Sequence, residues 1–363
     1  MSDYWLFIVI RVAPRFNRPF EDGFFIFERI DMDKIRVFSG IQPSGEMHLG
    51  NYLGAVKQWV ENQGKEKENF YCIVDLHAHT ILRDPKELSD NIRSLAAMLF
   101  ACGLDSEKST VFIQSQVRAH AEACWLLNCV TPMGWLERMT QFKDKKEKLN
   151  SISAALLDYP VLQTGDIILY DADEVPVGED QKQHVELARD IAQRFNNLFG
   201  ETFKLPEPII PTIGARVMNL SNPNSKMSKS FDEEESGVVG LLDDEKSIVK
   251  TIKRAVTDSG NEIAFSDDPE KAGVNNLLGI YKVITGKSST DAEKDFENAK
   301  GYGVLKESVA EMVLDVIRPI RKKFDEYISD PSELDRLLDI GAENASLISE
   351  PKVIEMKRKM GFI

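Results

Sequence analysis

From Lys34 onward the chain alternates short apolar runs with longer amphipathic stretches. Arg36-Val37-Phe38-Ser39-Gly40 predicts a buried strand ending in a turn. Phe70-Tyr71-Cys72-Ile73-Val74-Asp75 predicts a second strand and Thr110-Val111-Phe112-Ile113-Gln114 a third, with helical patterns over 51–63 and 85–102 between them. Strands alternating with helices of this length predict βαβ units and a parallel sheet. Ligands of such sheets bind beyond the carboxyl ends of the strands, where the strand order reverses. Gly40 to Asn51, Asp75 to Thr80 and Gln114 to Gln116 fall at those ends. Beyond a polar stretch at 221–236 the pattern changes, and 243–258, 273–285, 290–325, 331–340 and 351–360 read as helices with hardly any strand signal. The expected fold is therefore α/β, with a Rossmann-like parallel-sheet catalytic domain at 34–235, a C-terminal all-helical domain at 236–363 and an N-terminal extension at 1–33.

The extension contains Tyr4-Trp5-Leu6-Phe7-Ile8-Val9-Ile10, an apolar run too short to span a bilayer. Met1-Ser2-Asp3 lacks the basic start of a signal peptide. A β-hairpin and a start codon misplaced ahead of a true start near Met32 both fit this segment. Hydrophobic residues at 42% and charged residues at 29% describe an ordinary globular protein with material for a core. The net charge of −14 excludes non-specific coating of nucleic acid but leaves room for a local basic patch. Cys72, Cys102, Cys124 and Cys129 form no C-x-x-C pair, sit in apolar segments and read as buried free thiols in a reducing compartment, the cytoplasm.

Chemistry gathers in two places. Gly40, Gly45 and Gly50 follow the first strand at five-residue intervals and lead into a helix. Glycines let a backbone approach a nucleotide closely, and a helix N-terminus turns unpaired N–H groups towards phosphate. Gln42, Ser44, His48 and Asn51 add polar groups to the same loop. Far along the chain, Lys226-Met227-Ser228-Lys229-Ser230 sits in a polar loop at 221–235. Two lysines three apart, flanked by hydroxyls, can hold a triphosphate as point charges and stabilise a leaving pyrophosphate.

Three other patterns read as bland. Asp75-x-His77-x-His79 on a strand would share one face and mimic a metallohydrolase site, but it lacks companion ligands, and no metal site is expected. Gly286-Lys287-Ser288 mimics the end of a P-loop, yet Tyr281 stands where the first glycine belongs, so it reads as a loop between helices. Cys124 to Cys129, with Trp125 and Leu126, reads as core.

His48-Leu49-Gly50-Asn51 and Lys226-Met227-Ser228-Lys229-Ser230 together resemble the HIGH and KMSKS motifs of class I aminoacyl-tRNA synthetases. Gly40-Ile41-Gln42-Pro43-Ser44-Gly45, Asp75-Leu76-His77-Ala78 and Gly178-Glu179-Asp180-Gln181-Lys182-Gln183-His184 resemble the bacterial-type tryptophanyl-tRNA synthetases, from about Arg36 to the C-terminus. The resemblance implies ATP contacts at Gln42, Pro43, Ser44, His48, Gly50 and Asn51, with Gly178, Glu179 and Asp180 on the adenosine side and Val217 against adenine. It implies that Lys226, Met227, Ser228, Lys229 and Ser230 close over the phosphates, and that Lys145 is a further phosphate-binding lysine. The catalytic set it implies is Lys226, Lys229, Lys145, Gln42 and His48. The amino-acid pocket it implies comprises Phe38, Gly40, His77, Tyr159, Gln163, Asp166, Val175, Val177 and Gln181.

Within that pocket Asp166 has a physical rationale. An indole N–H is a donor only, so a carboxylate is its natural partner, and phenylalanine would leave that desolvated carboxylate unpaired, at roughly 1–3 kcal/mol. Gln163 departs from the pattern, since many bacterial tryptophan enzymes carry methionine there. The spacing Tyr159-x-x-x-Gln163-x-x-Asp166 reproduces one seen in tyrosyl-tRNA synthetases. The implied activity is ATP-dependent tryptophan activation and transfer to tRNA(Trp), with Mg2+ carried on the triphosphate. The alternatives are a tyrosine–tRNA ligase and a synthetase-like regulatory protein without charging activity. The resemblance also implies a homodimer with an interface near 120–145 and no membrane partner. Its helical domain would read the anticodon through Arg318, Arg321, Lys322, Lys323, Lys357, Arg358 and Lys359.

Overall fold

The computed structural model describes residues 34–363 apart from 65, 144–151, 210–215 and 228–235. The extension, Lys145, Ser228, Lys229, Ser230 and the acidic run at 232–235 thus lie outside the described residues.

The expected strands form where the apolar runs predicted them: β1 (Ile35–Ile41), β2 (Lys67–Ile73) and β3 (Thr110–Ile113). Two three-residue strands, β4 (Glu174–Pro176) and β5 (Glu207–Ile209), complete a wholly parallel sheet of order β3-β2-β1-β4-β5. The chain builds outward from β1 on one side, then crosses to place β4 on the other. The reversal therefore lies between β1 and β4, and a crevice opens beyond their carboxyl ends.

Alternation along the strands divides the core between the two faces of the sheet. Tyr71, Ile73, Val111 and Ile113 belong to one buried cluster; Phe70, Cys72 and Phe112 belong to the other. Helices cover both faces, as parallel sheets require. The first face packs against α1 (Leu49–Asn51), which runs through a π-helical segment (Tyr52–Val56) into α2 (Lys57–Asn62), and against α4 (Pro85–Ala101), which follows the short α3 (Asp75–Ala78). The second packs against α5 (Ala119–Asn128), α6 (Met133–Leu136), α7 (Ala154–Ile168) and α8 (Lys182–Phe199).

The C-terminal part is helical, as expected, but divided differently. α9 (Glu245–Lys253) ends at Lys253 rather than at 258, whereas α10 (Ala272–Thr285) matches. The helix expected over 290–325 is two, α11 (Ser289–Lys294) and α12 (Tyr302–Ser329), separated where Gly301 turns to φ +139°. The two short helices expected over 331–340 and 351–360 are one, α13 (Pro331–Lys359), which runs through Pro351. Its Leu334, Leu337 and Leu338 join the first core cluster and its Ala345, Val353 and Met356 the second. α13 thereby covers the outer edge of β3, a pairing edge that would otherwise be open. A β-carbon at Gly341 would lie 1.8 Å from the Val111 carbonyl oxygen, so helix and strand touch backbone to backbone.

Candidate active site

A cavity of about 290 Å3 opens at the β1/β4 crevice. All nine residues expected in the amino-acid pocket line it, from Phe38 and Gly40 on β1 to Gln181 beyond β4. On α7, Tyr159, Gln163 and Asp166 are spaced i, i+4, i+7, which sets them on one helix face. Ser39 and Gln141 line the cavity as well. Ser39 is buried, and its Oγ has no hydrogen-bond partner among the described residues. The Tyr159 hydroxyl meets His184 Nε2 at 2.9 Å, which fixes the phenol at the wall.

Asp166 is 1% exposed and forms the floor. Its Oδ2 lies 2.7 Å from His77 Nε2, and its Oδ1 accepts from Gln114 Nε2 at 2.7 Å and meets His120 Nδ1 at 2.6 Å. Burial on its own would raise this carboxyl. The imidazole of His77 and hydrogen bonds from His120 and His77 outweigh that, and hold it well below the usual carboxylate range. The carboxylate expected to be unpaired without an indole thus already has three partners, and the energetic argument built on an unpaired charge does not hold. Sequence reasoning placed Gln114 at a ligand-binding strand end without giving it a task, and passed over His120. The available signal was a histidine in the apolar helix α5, and it is wholly buried.

On the phosphate side, the turn after β1 places Gln42 and Ser44 at the surface and reverses at Gly45, whose φ is +117°. His48 then caps α1: its Nδ1 accepts from Asn51 N, and Asn51 Oδ1 accepts from His48 N, both at 3.2 Å. Leu49 N donates to Val239 O at 2.8 Å. For Leu49 and Asn51 the expectation of unpaired helix amides facing phosphate is corrected, because both already have acceptors. The start of the KMSKS stretch is held close by. Met227 N donates to Val217 O at 3.0 Å, Val217 and Met227 are buried, and a β-carbon at Gly50 would meet Met227 Cβ at 3.3 Å. The two motifs therefore share a packing contact, with exposed Lys226 beside it. The far end of the loop is clamped by Asn219, whose Nδ2 donates to Ser236 O at 3.1 Å, and by Leu220 N donating to Gly237 O at 2.9 Å. Gly178, Glu179 and Asp180 form an exposed turn at the cavity mouth, braced by Gln141 Nε2 donating to Asp180 O at 3.3 Å.

The model of the family "tRNA synthetases class I (W and Y)" matches residues 31–318. The chain belongs to this family. A curated tryptophan–tRNA ligase of Wolinella succinogenes is 49% identical over 92% of this chain and 100% of its own length. The crystal structure of tryptophanyl-tRNA synthetase from Mycoplasma pneumoniae superposes with a TM-score of 0.82 at 34% identity, covering 90% of this chain and 98% of that one. That of the Campylobacter jejuni enzyme, complexed with ADP and tryptophan, superposes at 0.77 with 37% identity, covering 90% and 100%.

Against this class I synthetase frame, two readings are corrected. Asp75, His77 and His79 lie on and just after a helical turn, not on a strand. Asp75 accepts from Ser115 N at 2.9 Å, His77 binds Asp166 and His79 is exposed, so the three do not converge. On α5 the inward face is Ala119, His120, Ala123, Leu126 and Leu127, which leaves Trp125 70% exposed and Cys129 at the surface rather than in the core. Gly286 to Ser288 is a loop between helices as read, with Gly286 ending α10 in the left-handed conformation and Ser288 capping α11.

Proposed function

We infer that this chain is a tryptophan–tRNA ligase. The tryptophan carboxylate attacks the α-phosphate of ATP in line, giving tryptophanyl-AMP and pyrophosphate; a terminal ribose hydroxyl of tRNA(Trp) then takes the aminoacyl group and releases AMP. The observation that carries this reading is the buried Asp166 carboxylate on the floor of the cavity at the β1/β4 crevice, where it can accept an indole N–H. Little covalent chemistry falls to the protein, so positioning and charge stabilisation supply the rate. Gln42, Pro43, Ser44, His48, Gly50 and Asn51 are assigned to ATP, with Gly178 to Asp180 and Val217 on the nucleoside side. Lys226, Lys229 and Lys145 are assigned to the phosphates, and Mg2+ enters bound to the triphosphate.

Tyrosine is the second reading, favoured by one observation: Gln163 lines the same cavity as Asp166. The C-terminal helices are assigned to the anticodon. Of the seven cations expected there, Arg318, Arg321, Lys357 and Lys359 are engaged within the chain, with Glu245, Asp243 O, Glu122 and Glu355. Lys322, Lys323 and Arg358 are exposed and form no ion pair among the described residues, so they are the better candidates for RNA phosphate. Trp125 and Met133, 70% and 60% exposed, support a homodimer interface in the 120–145 segment. The buried thiols of Cys72 and Cys102 suit a cytoplasmic enzyme, and among the described residues no helix is long and apolar enough to cross a membrane.

The test is ATP–pyrophosphate exchange with tryptophan and tyrosine in parallel, followed by charging of total tRNA. Exchange with tryptophan and charging supports the reading. Exchange with tyrosine alone supports the second, and exchange without charging would point to a regulatory protein.

A further inference from the structure

The Asp166 carboxylate can be read as an acceptor count. Each carboxylate oxygen offers two acceptor directions, about four in all. Oδ1 is filled by Gln114 Nε2 and His120 Nδ1, and Oδ2 is half filled by His77 Nε2. One direction remains, on Oδ2, the oxygen shared with cavity-lining His77.

The partners behind Oδ1 are donors held from behind. His120 Nε2 lies 2.8 Å from the Tyr170 hydroxyl. A carboxylate oxygen only accepts, so the ring nitrogen that faces it, Nδ1, carries a proton directed at Asp166. The hydroxyl is itself held in place: the Tyr170 ring stacks on Phe70 at 4.7 Å and on Phe38 at 5.5 Å, and Phe38 lines the cavity. Gln114 is held from its other end, because its Oε1 accepts from Leu76 N at 3.1 Å, which leaves its amide N–H groups for Asp166. His120, Gln114 and Asp166 are all at most 1% exposed, so water does not compete for these directions. Neither His120 nor Gln114 lines the cavity.

We propose that His120 and Gln114, with Tyr170 behind them, are positioning residues that determine amino-acid specificity. By occupying both directions of Oδ1 they turn the one open direction of Asp166 to the cavity. The site then takes a ring that presents a single N–H donor and rejects an isosteric ring without one. The inference rests on the reading of the cavity as an amino-acid pocket and extends it to residues that never touch the substrate.

Without His120 the carboxylate gains a second open direction, at Oδ1, and loses one of the three bonds that fix its rotation about Cβ–Cγ. The indole N–H then meets a carboxylate less firmly aimed at it, its advantage over a ring lacking the donor shrinks, and the selectivity of the site falls. The catalytic geometry at the phosphates is untouched.

The test is ATP–pyrophosphate exchange by the full chain with L-tryptophan and with 3-benzothienyl-L-alanine, in which sulfur replaces the indole N–H at nearly constant shape. The readout is the ratio of the two kcat/KM values. His120→Leu and Gln114→Leu are expected to lower that ratio about tenfold, the worth of one well-made hydrogen bond to a charged group, mainly by raising KM for tryptophan, with kcat changing less. His120→Asn sets an amide nitrogen where Nδ1 stands and is expected to restore the ratio to within about twofold of the parent. A ratio that stays at the parental value in both leucine variants, with activity falling equally for both substrates, overturns the proposal and leaves the residues a structural role. Failure of His120→Asn to restore the ratio also overturns it. If His120→Leu does not fold, Gln114→Leu and His120→Asn carry the same decision. A parent chain that exchanges with neither compound overturns the amino-acid pocket itself, an outcome distinct from an unchanged ratio in the variants.

Discussion

Gly237 closes the far end of the loop that carries the lysine motif, and it is there for a stereochemical reason. Its φ is +89°, and a β-carbon would lie 2.3 Å from Asn219 Oδ1 and 2.4 Å from Ser221 N. Adopting that conformation costs an alanine about 1–2 kcal/mol. The collision would also expel the Asn219 side chain, which accepts from Ser221 N at 2.8 Å and Asn222 N at 3.0 Å and donates to Ser236 O at 3.1 Å. Each of those bonds is worth roughly 0.5–1.5 kcal/mol, so Gly237→Ala should destabilise the chain by roughly 3–6 kcal/mol if nothing relaxes. Gly286 supplies the matched control: its φ is +69° and a β-carbon there would meet nothing within 4 Å. Gly286→Ala should therefore cost only the conformational part, about 1–2 kcal/mol. Urea unfolding compares the two costs, and pyrophosphate exchange at varied ATP and varied tryptophan compares their consequences. Gly237→Ala is expected to raise KM for ATP about tenfold or more while KM for tryptophan stays within about twofold, because the Asp166 floor rests on other elements. Equal stability losses in the two variants, or an unchanged KM for ATP in Gly237→Ala, would refute the idea that this glycine sets the loop.

Other consequences are direct. Asp166→Asn sets an NH2 against a donor at either oxygen position, so urea unfolding should show a loss of about 2–3 kcal/mol, and exchange assays a KM for tryptophan raised about a hundredfold, with KM for ATP little changed. Because the folded Asp166 carboxyl lies below its unfolded value, its contribution to stability is present above about pH 4 and is lost as pH falls towards the folded value. Unfolding free energies measured on the acid side should therefore fall less steeply below about pH 4 in Asp166→Asn than in the parent. Gly341→Ala drives a methyl into the Val111 carbonyl and should destabilise the whole chain by about 3–5 kcal/mol; a midpoint in urea equal to the parent's would contradict the contact of α13 with β3. Gln163→Met removes a polar group from the cavity and should raise the preference for tryptophan over tyrosine in exchange assays about tenfold.

The strands β1 to β3 could be read from the chain because apolar runs buried on both faces need no partner to announce them. β4 and β5 could not. Each has three residues, and Glu174-Val175-Pro176 and Glu207-Pro208-Ile209 mix charge and proline into runs too short to show a period. The C-terminal helices were legible in kind but not in extent. Gly341 and Pro351 look like breakers locally, whereas packing against Val111 rewards the glycine. The carbonyl that Pro351 leaves without a helical partner belongs to Leu347, a residue that is 36% exposed. Trp125 and Cys129 misled for a related reason: α5 is apolar almost all round, so its periodicity does not say which face is buried.

At the site, the legible residues were those whose chemistry is odd where they stand. Asp166 is a carboxylate within an apolar helix, and the lysine motif is a basic cluster within a polar loop. Gln114 and His120 are ordinary by comparison, and only the fold brings them to Asp166 from 52 and 46 positions away. Their contact with Asp166, which the sequence does not show, changes the account of selectivity. An isolated buried carboxylate would select by the penalty of leaving a charge unpaired. A carboxylate that already has three partners selects instead by direction, since a ligand must bring one donor along one line. A phenol can do this too, but it also brings lone pairs that need a donor of their own, and an indole does not. The choice between the two aromatic amino acids therefore depends less on Asp166, which suits either, than on what the rest of the lining offers. Gln163, on the same face of α7 as Asp166, is a lining residue able to donate an amide N–H to a phenol, and methionine at that position would offer none.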